Sequence, residues 1–86
     1  MDVVESKIVG YLADRRGWQP QTGVGRLDYP LLDNGVLDSL AIIGLVGFLE
    51  REFAITVTDT DMMPDNFETV RCIAGLVRAA QQVADR

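Results

Sequence analysis

The sequence contains no histidine. That absence removes the usual general base, the usual zinc ligand and the Ser-His-Asp triad together. Hydrolysis by a histidine-activated nucleophile is therefore excluded. Cysteine is nearly absent as well, since Cys72 stands alone. One cysteine makes neither an internal disulfide nor a cysteine-based zinc site, so stability has to come from packing. Basic residues are scarce, 8 against 13 acidic, for a formal net charge of −5. Such a surface repels nucleic-acid phosphates and attracts partners with basic patches, so no nucleic-acid partner is expected. No segment approaches the roughly 20 apolar residues that span a bilayer. The opening "MDVVESKIVGYLADRR" is acidic at its start and has no long apolar run, unlike a signal peptide or a membrane anchor. The expectation is a soluble, cytoplasmic protein without a membrane partner.

What is present fits one small folded domain. The 86 residues are 48% hydrophobic and 24% charged, a globular rather than a disordered composition. A second core is hard to build at this length, so residues 1–86 are expected to form a single domain. Val4, Ile8, Tyr11 and Leu12 recur at helical spacing and predict a first helix over about residues 2–16, stopped by Gly17. Residues 17–37 contain four glycines and two prolines, which forbid a continuous helix. This is a long loop for a small domain. Trp18, Leu27, Tyr29, Leu31, Leu32, Val36 and Leu37 are spread through it as possible anchors to the core. "GVGRLD" lacks the third glycine and the preceding strand of a dinucleotide fingerprint.

"DSLAIIGLVGFLEREF", residues 38–53, carries the strongest helical pattern. Asp38 or Ser39 can cap its start. Ile42, Leu45, Val46, Leu49 and Phe53 form one stripe suited to the core. Leu40, Ile43, Gly44 and Gly47 form a second. A small domain does not bury a helix on every side, so this second stripe is expected to face outwards. Each interior glycine costs about 1 kcal/mol relative to alanine. The two either permit close helix packing or keep a docking surface clear of bulky groups.

Downstream, Ile55 and Val57 alternate with polar residues over too short a run for a sheet and read as a linker. Asp59 is expected to cap a brief helical turn through Met62 and Met63, ended by Pro64. The same segment is not a calcium loop, because Met63 and Pro64 replace a ligand and the turn glycine. Phe67 is an expected core anchor. Thr69 is placed to cap a last helix with Val70, Ile73, Ala74, Val77 and Ala80 on its inner face. Cys72, in that helix, is expected to be partly buried and inert. The sum is all-α: a small antiparallel bundle of three main helices and one short one, with a long first loop.

Ser39 sits where this architecture offers chemistry. As an isolated serine before an apolar helix it reads as a cap. In its context the hydroxyl can also face solvent at a helix N-terminus. A phosphate there would meet the positive end of the helix dipole and free N–H groups. Asp38 lies beside it and can help coordinate a metal during phosphate transfer.

"DNGVLDSLAIIGLVGFLEREFAITV" and "DTDMMPDNFETVRCIAGLV" together resemble the acyl carrier and peptidyl carrier proteins over most of the chain. The resemblance implies an acyl-carrier-like bundle, monomeric and without catalytic activity of its own. It implies 4′-phosphopantetheine on Ser39, flanked by Asp38 and Leu40 and attached from coenzyme A by a phosphopantetheinyl transferase. The arm's thiol would hold an acyl or aminoacyl group as a thioester. The other implied partners are an adenylating or acyl-transferring loading enzyme and downstream acyl-processing enzymes. The second helix would be the recognition surface, through Leu40, Ile43, Gly44, Gly47 and Glu50.

The chain also departs from typical fatty-acid carriers. Ala41 and Gly44 stand where acidic residues are common, and Arg51 interrupts the acidic cluster, leaving Asp38, Glu50 and Glu52. A contact led by Leu40, Ile43 and Gly47 is expected, with charge secondary. "DMMPDNFETV" looks like stand-alone carriers paired with adenylating enzymes. The leading expectation is a free-standing carrier in a specialised pathway of polyketide or nonribosomal-peptide type. A housekeeping fatty-acid carrier and an unmodified helical adaptor remain as alternatives. A short polar cargo is expected to stay in solvent, because burying its polar groups unpaired is costly.

Overall fold

The computed structural model describes residues 2–18 and 26–84, with Arg26 and Ala84 described by their backbone alone. The glycines of the rejected dinucleotide motif, Gly23 and Gly25, lie outside the described residues. Three helices form the expected antiparallel bundle: α1 (Val3–Arg16), α2 (Ser39–Phe53) and α3 (Val70–Ala84). Short 3-10 turns at Arg26–Asp28 and Pro64–Phe67 complete the order. There is no strand among the described residues.

Helix α1 starts with a capping box. The Asp2 side chain accepts from the Glu5 N–H at 2.8 Å, and the Glu5 carboxylate accepts from the Asp2 N–H at 3.1 Å. It ends at Gly17, whose φ of 66° is left-handed and whose N–H returns to the Leu12 carbonyl. Ile8 and Leu12 are fully buried, with Val4 and Tyr11 packed at the edge of the core. Ion pairs tie this helix to its neighbours: Lys7 to Glu52 of α2, and Asp2 to Arg78 of α3.

Helix α3 is the hub and contacts α1, α2 and both 3-10 turns. The Thr69 hydroxyl caps it, accepting from the Cys72 N–H at 3.1 Å. Val70, Ile73, Ala74 and Val77 are fully buried against Phe67, Leu45 and Leu49. Each buried aliphatic or aromatic side chain contributes about 1.5–3 kcal/mol over its exposed state. Cys72 corrects the expectation, because it is exposed. It precedes Ile73 by one residue, and a rotation of about 100° per residue turns it off the inner face.

The loop is pinned at several of the expected points. Leu31 and Leu37 are buried, while Trp18, Leu27, Leu32 and Val36 pack on the core's edge. The Leu31 N–H donates to the Glu68 carbonyl at 2.7 Å, and Arg71 holds Asp28 at 2.8 Å. Tyr29 does not reach the core. It lies partly exposed against Trp18, ring centroids 5.7 Å apart.

The short helix also differs from expectation. Pro64 opens it rather than ending it. Proline has no N–H to lose at a first helical position, and its fixed φ suits that place. The preceding turn is closed by Thr58 and Asp61, whose side chains bond each other at 2.8 Å and each other's backbone N–H. Asp59 takes part through its carbonyl, which accepts from the Met62 N–H.

Candidate functional site

The turn before α2 fixes where Ser39 stands. The Leu31 carbonyl accepts from both the Val36 and Leu37 N–H groups, at 2.9 and 3.2 Å. Gly35, at φ 74°, takes the left-handed conformation that reverses the chain there. Leu37 is then buried, and Asp38 emerges in an extended conformation.

Asp38, not Ser39, is the helix cap. Its Oδ1 accepts from the Ala41 N–H at 2.8 Å, and its carbonyl accepts the first helical bond from Ile42. Ser39 is thereby left as the first helical residue, exposed to solvent. Its hydroxyl makes no hydrogen bond among the described residues. First-turn N–H groups lack intrahelical partners and sit at the positive end of the dipole. A free primary hydroxyl beside those donors fits a phosphodiester.

Sequence reasoning missed a contact at this turn. Arg16 Nε, at the end of α1, donates to the Val36 carbonyl at 2.9 Å. Its Nη2 lies 3.8 Å from Asp38 Oδ2. No local pattern signals a pairing across such a stretch of chain.

The outer stripe of α2 begins beside Ser39. Leu40 is 81% exposed and Ile43 61%. The two glycines divide. A Cβ on Gly44 would sit 3.2 Å from the Tyr11 hydroxyl, so this position lets α1 approach. A Cβ on Gly47 would meet nothing within 4 Å. Glu50 is half-buried, and its Oε2 accepts from the Val57 N–H at 3.0 Å, which engages the carboxylate within the molecule. From Ser39 to Leu49 the helix carries no charged residue. A cavity of about 260 Å³ lined by Ala54, Thr56, Leu76, Ala80 and Val83 lies at the opposite end of α2.

Residues 6–79 match the family model described as the phosphopantetheine attachment site. The chain belongs to the phosphopantetheine-binding carrier family. A probable acyl carrier protein, PigG of Serratia sp. (strain ATCC 39006), is 30% identical to it over 82 residues. The match covers 88% of this chain and 86% of that protein. The cofactor of this carrier is accordingly 4′-phosphopantetheine.

Proposed function

We propose that Ser39 is the attachment point and that the chain works as a free-standing, monomeric carrier domain in a specialised biosynthetic pathway. One observation carries this reading: Asp38 caps α2, so the Ser39 hydroxyl has no structural duty. The attachment joins Ser39 Oγ to the β-phosphorus of coenzyme A. Adenosine 3′,5′-bisphosphate leaves, and the serine proton passes to the transferase or solvent. When bound, the group supplies a thiol that holds an acyl or aminoacyl cargo as a thioester. Asp38 orients the first turn through its Oδ1 bond to the Ala41 N–H. Among the described residues no acid, base and nucleophile set converges. The chain presents cargo to a loading enzyme and to downstream acyl-processing enzymes, and its proposed place of work is the cytoplasm.

Helix α2 is the proposed partner surface, led by Leu40, Ile43 and Gly47, with Gly44 on the same face. Its freedom from charge between residues 39 and 49 supports apolar docking. The same feature disfavours a housekeeping fatty-acid role. With Glu50 engaged at Val57, its share in docking is the smaller one. A short polar cargo remains in solvent in this reading, because burying its polar groups unpaired is costly.

The test is intact mass after incubation with coenzyme A, magnesium and a broad-specificity phosphopantetheinyl transferase. The expected result is a gain of one phosphopantetheinyl group, absent in Ser39→Ala. No gain by the folded wild-type chain with an active transferase refutes the reading and leaves a helical adaptor. Binding of the cognate loading enzyme should change less than about twofold between roughly 50 and 500 mM salt. A steep fall with salt would refute apolar docking.

A further inference from the structure

Arg16 joins two points of the turn that presents Ser39. Its Nε donates to the Val36 carbonyl at 2.9 Å, and its Nη2 faces Asp38 Oδ2 at 3.8 Å. The two points flank Leu37, which is buried and serves as the turn's anchor. Arg16 is itself held in place. It is the last residue of α1, and the Gly17 N–H that follows it returns to the carbonyl of fully buried Leu12. A planar guanidinium presents its donors from separate nitrogens in a fixed fork that spans a carbonyl and a carboxylate, whereas the three donors of an ammonium share one nitrogen.

We propose that Arg16 is a positioning residue for phosphopantetheine attachment, bracing the Val36–Asp38 turn against the end of α1 so that Ser39 is presented in one orientation. The proposal rests on the reading of Ser39 as the attachment point. The brace has a second consequence. A phosphodiester on Ser39 places a permanent negative charge beside the Asp38 carboxylate. Arg16 is the ion-pair partner of Asp38, and its charge offsets that repulsion. The other Asp38 oxygen is committed to the Ala41 N–H, so the cap survives without Arg16 while the brace does not.

The experiment uses the full chain as wild type, Arg16→Ala and Arg16→Lys, with two readouts. The first is amide hydrogen exchange at Val36 and Leu37, whose N–H groups close the turn on Leu31. Exchange at α3 amides serves as the control for global stability. The second is kcat/KM for modification by the transferase, with the carrier as the varied substrate. In Arg16→Ala the turn amides should exchange about tenfold faster while α3 protection holds. Its kcat/KM should fall about tenfold, within the roughly hundredfold that a misplacement of about 1 Å can cost. Arg16→Lys should recover only part of both. Turn protection equal to wild type, or modification at the wild-type rate, overturns the proposal. Failure of the Ser39 reading looks different: the wild-type chain gains no mass, and exchange alone then decides whether Arg16 braces the turn.

Discussion

Replacing Gly47 with alanine should stabilise this protein, whereas the same change at Gly44 should not. Both glycines lie inside α2. Each forgoes about 1 kcal/mol of helix propensity relative to alanine. At Gly47 the new methyl meets nothing within 4 Å, so the whole gain should appear. At Gly44 it meets the Tyr11 hydroxyl at 3.2 Å. That oxygen ends a ring packed 4.6 Å from Phe48, with the Arg15 guanidinium 5.8 Å over its face. Moving it disturbs both neighbours, and overpacking of this kind costs about 1 kcal/mol or more. The gain and the cost should nearly cancel.

Tyr11→Phe provides the control. Among the described residues, and apart from the glycine's chain neighbours and its own helical backbone, it removes the one atom within 4 Å of the added methyl. The Tyr11 hydroxyl makes no hydrogen bond among the described residues, so little is lost with it. In the Tyr11→Phe background, Gly44→Ala should recover about 1 kcal/mol, which is a coupling of that size between the two positions. For a domain of this length, 1 kcal/mol is about 4–8 °C in Tm. Thermal melts of Gly47→Ala, Gly44→Ala, Tyr11→Phe and the Tyr11→Phe/Gly44→Ala pair measure it. A Gly44→Ala protein as stable as Gly47→Ala, with tyrosine still present, would refute the argument.

Two further outcomes follow from the caps and the surface ion pairs. Asp38→Ala removes the acceptor of the Ala41 N–H and should cost about 1 kcal/mol in denaturant unfolding, while Asp38→Asn keeps an acceptor and should stay near wild type. The hydrogen bond from Arg71 holds the Asp28 carboxyl below its ordinary value of 3.8; desolvation opposes it, and the Arg71 charge adds a smaller lowering. A depressed carboxylate stabilises the folded state above its unfolded pKa, and that contribution is lost as pH falls through the folded one. Both side chains are exposed, so the effect should be modest and weakened by salt. The Tm difference between wild type and Asp28→Asn should therefore narrow as pH drops below 3.8. A gap that widened there would reverse the assignment.

Much of the bundle was legible because helical burial has a period. Ile8 and Leu12 on α1, and Val70, Ile73, Ala74 and Val77 on α3, are buried where their spacing puts them. Thr69 caps α3 as its position suggests. Pattern and structure part where local chemistry allows two outcomes. Pro64 suits either side of a helix boundary, and the Thr58–Asp61 bonds decide that it opens one. Residue type favours partial burial for Cys72, whereas the phase of Ile73 and Ala74 turns it outwards.

The start of α2 divides in the same way. Residue types and spacing alone determined that a helix begins near Asp38 and Ser39 and that Leu40, Ile43, Gly44 and Gly47 share a face. Aspartate and serine are nearly equal as caps, so their order in the chain leaves the choice open. The extended backbone at Asp38 gives it the Ala41 N–H and releases the Ser39 hydroxyl. Only the packed structure decides the contacts made across distant stretches of chain: Arg16 on Val36, Tyr11 over Gly44, Glu52 with Lys7. Periodicity records which side of a helix is apolar. It carries no information about which residue of another helix comes to rest against it, because that depends on how the helices are brought together.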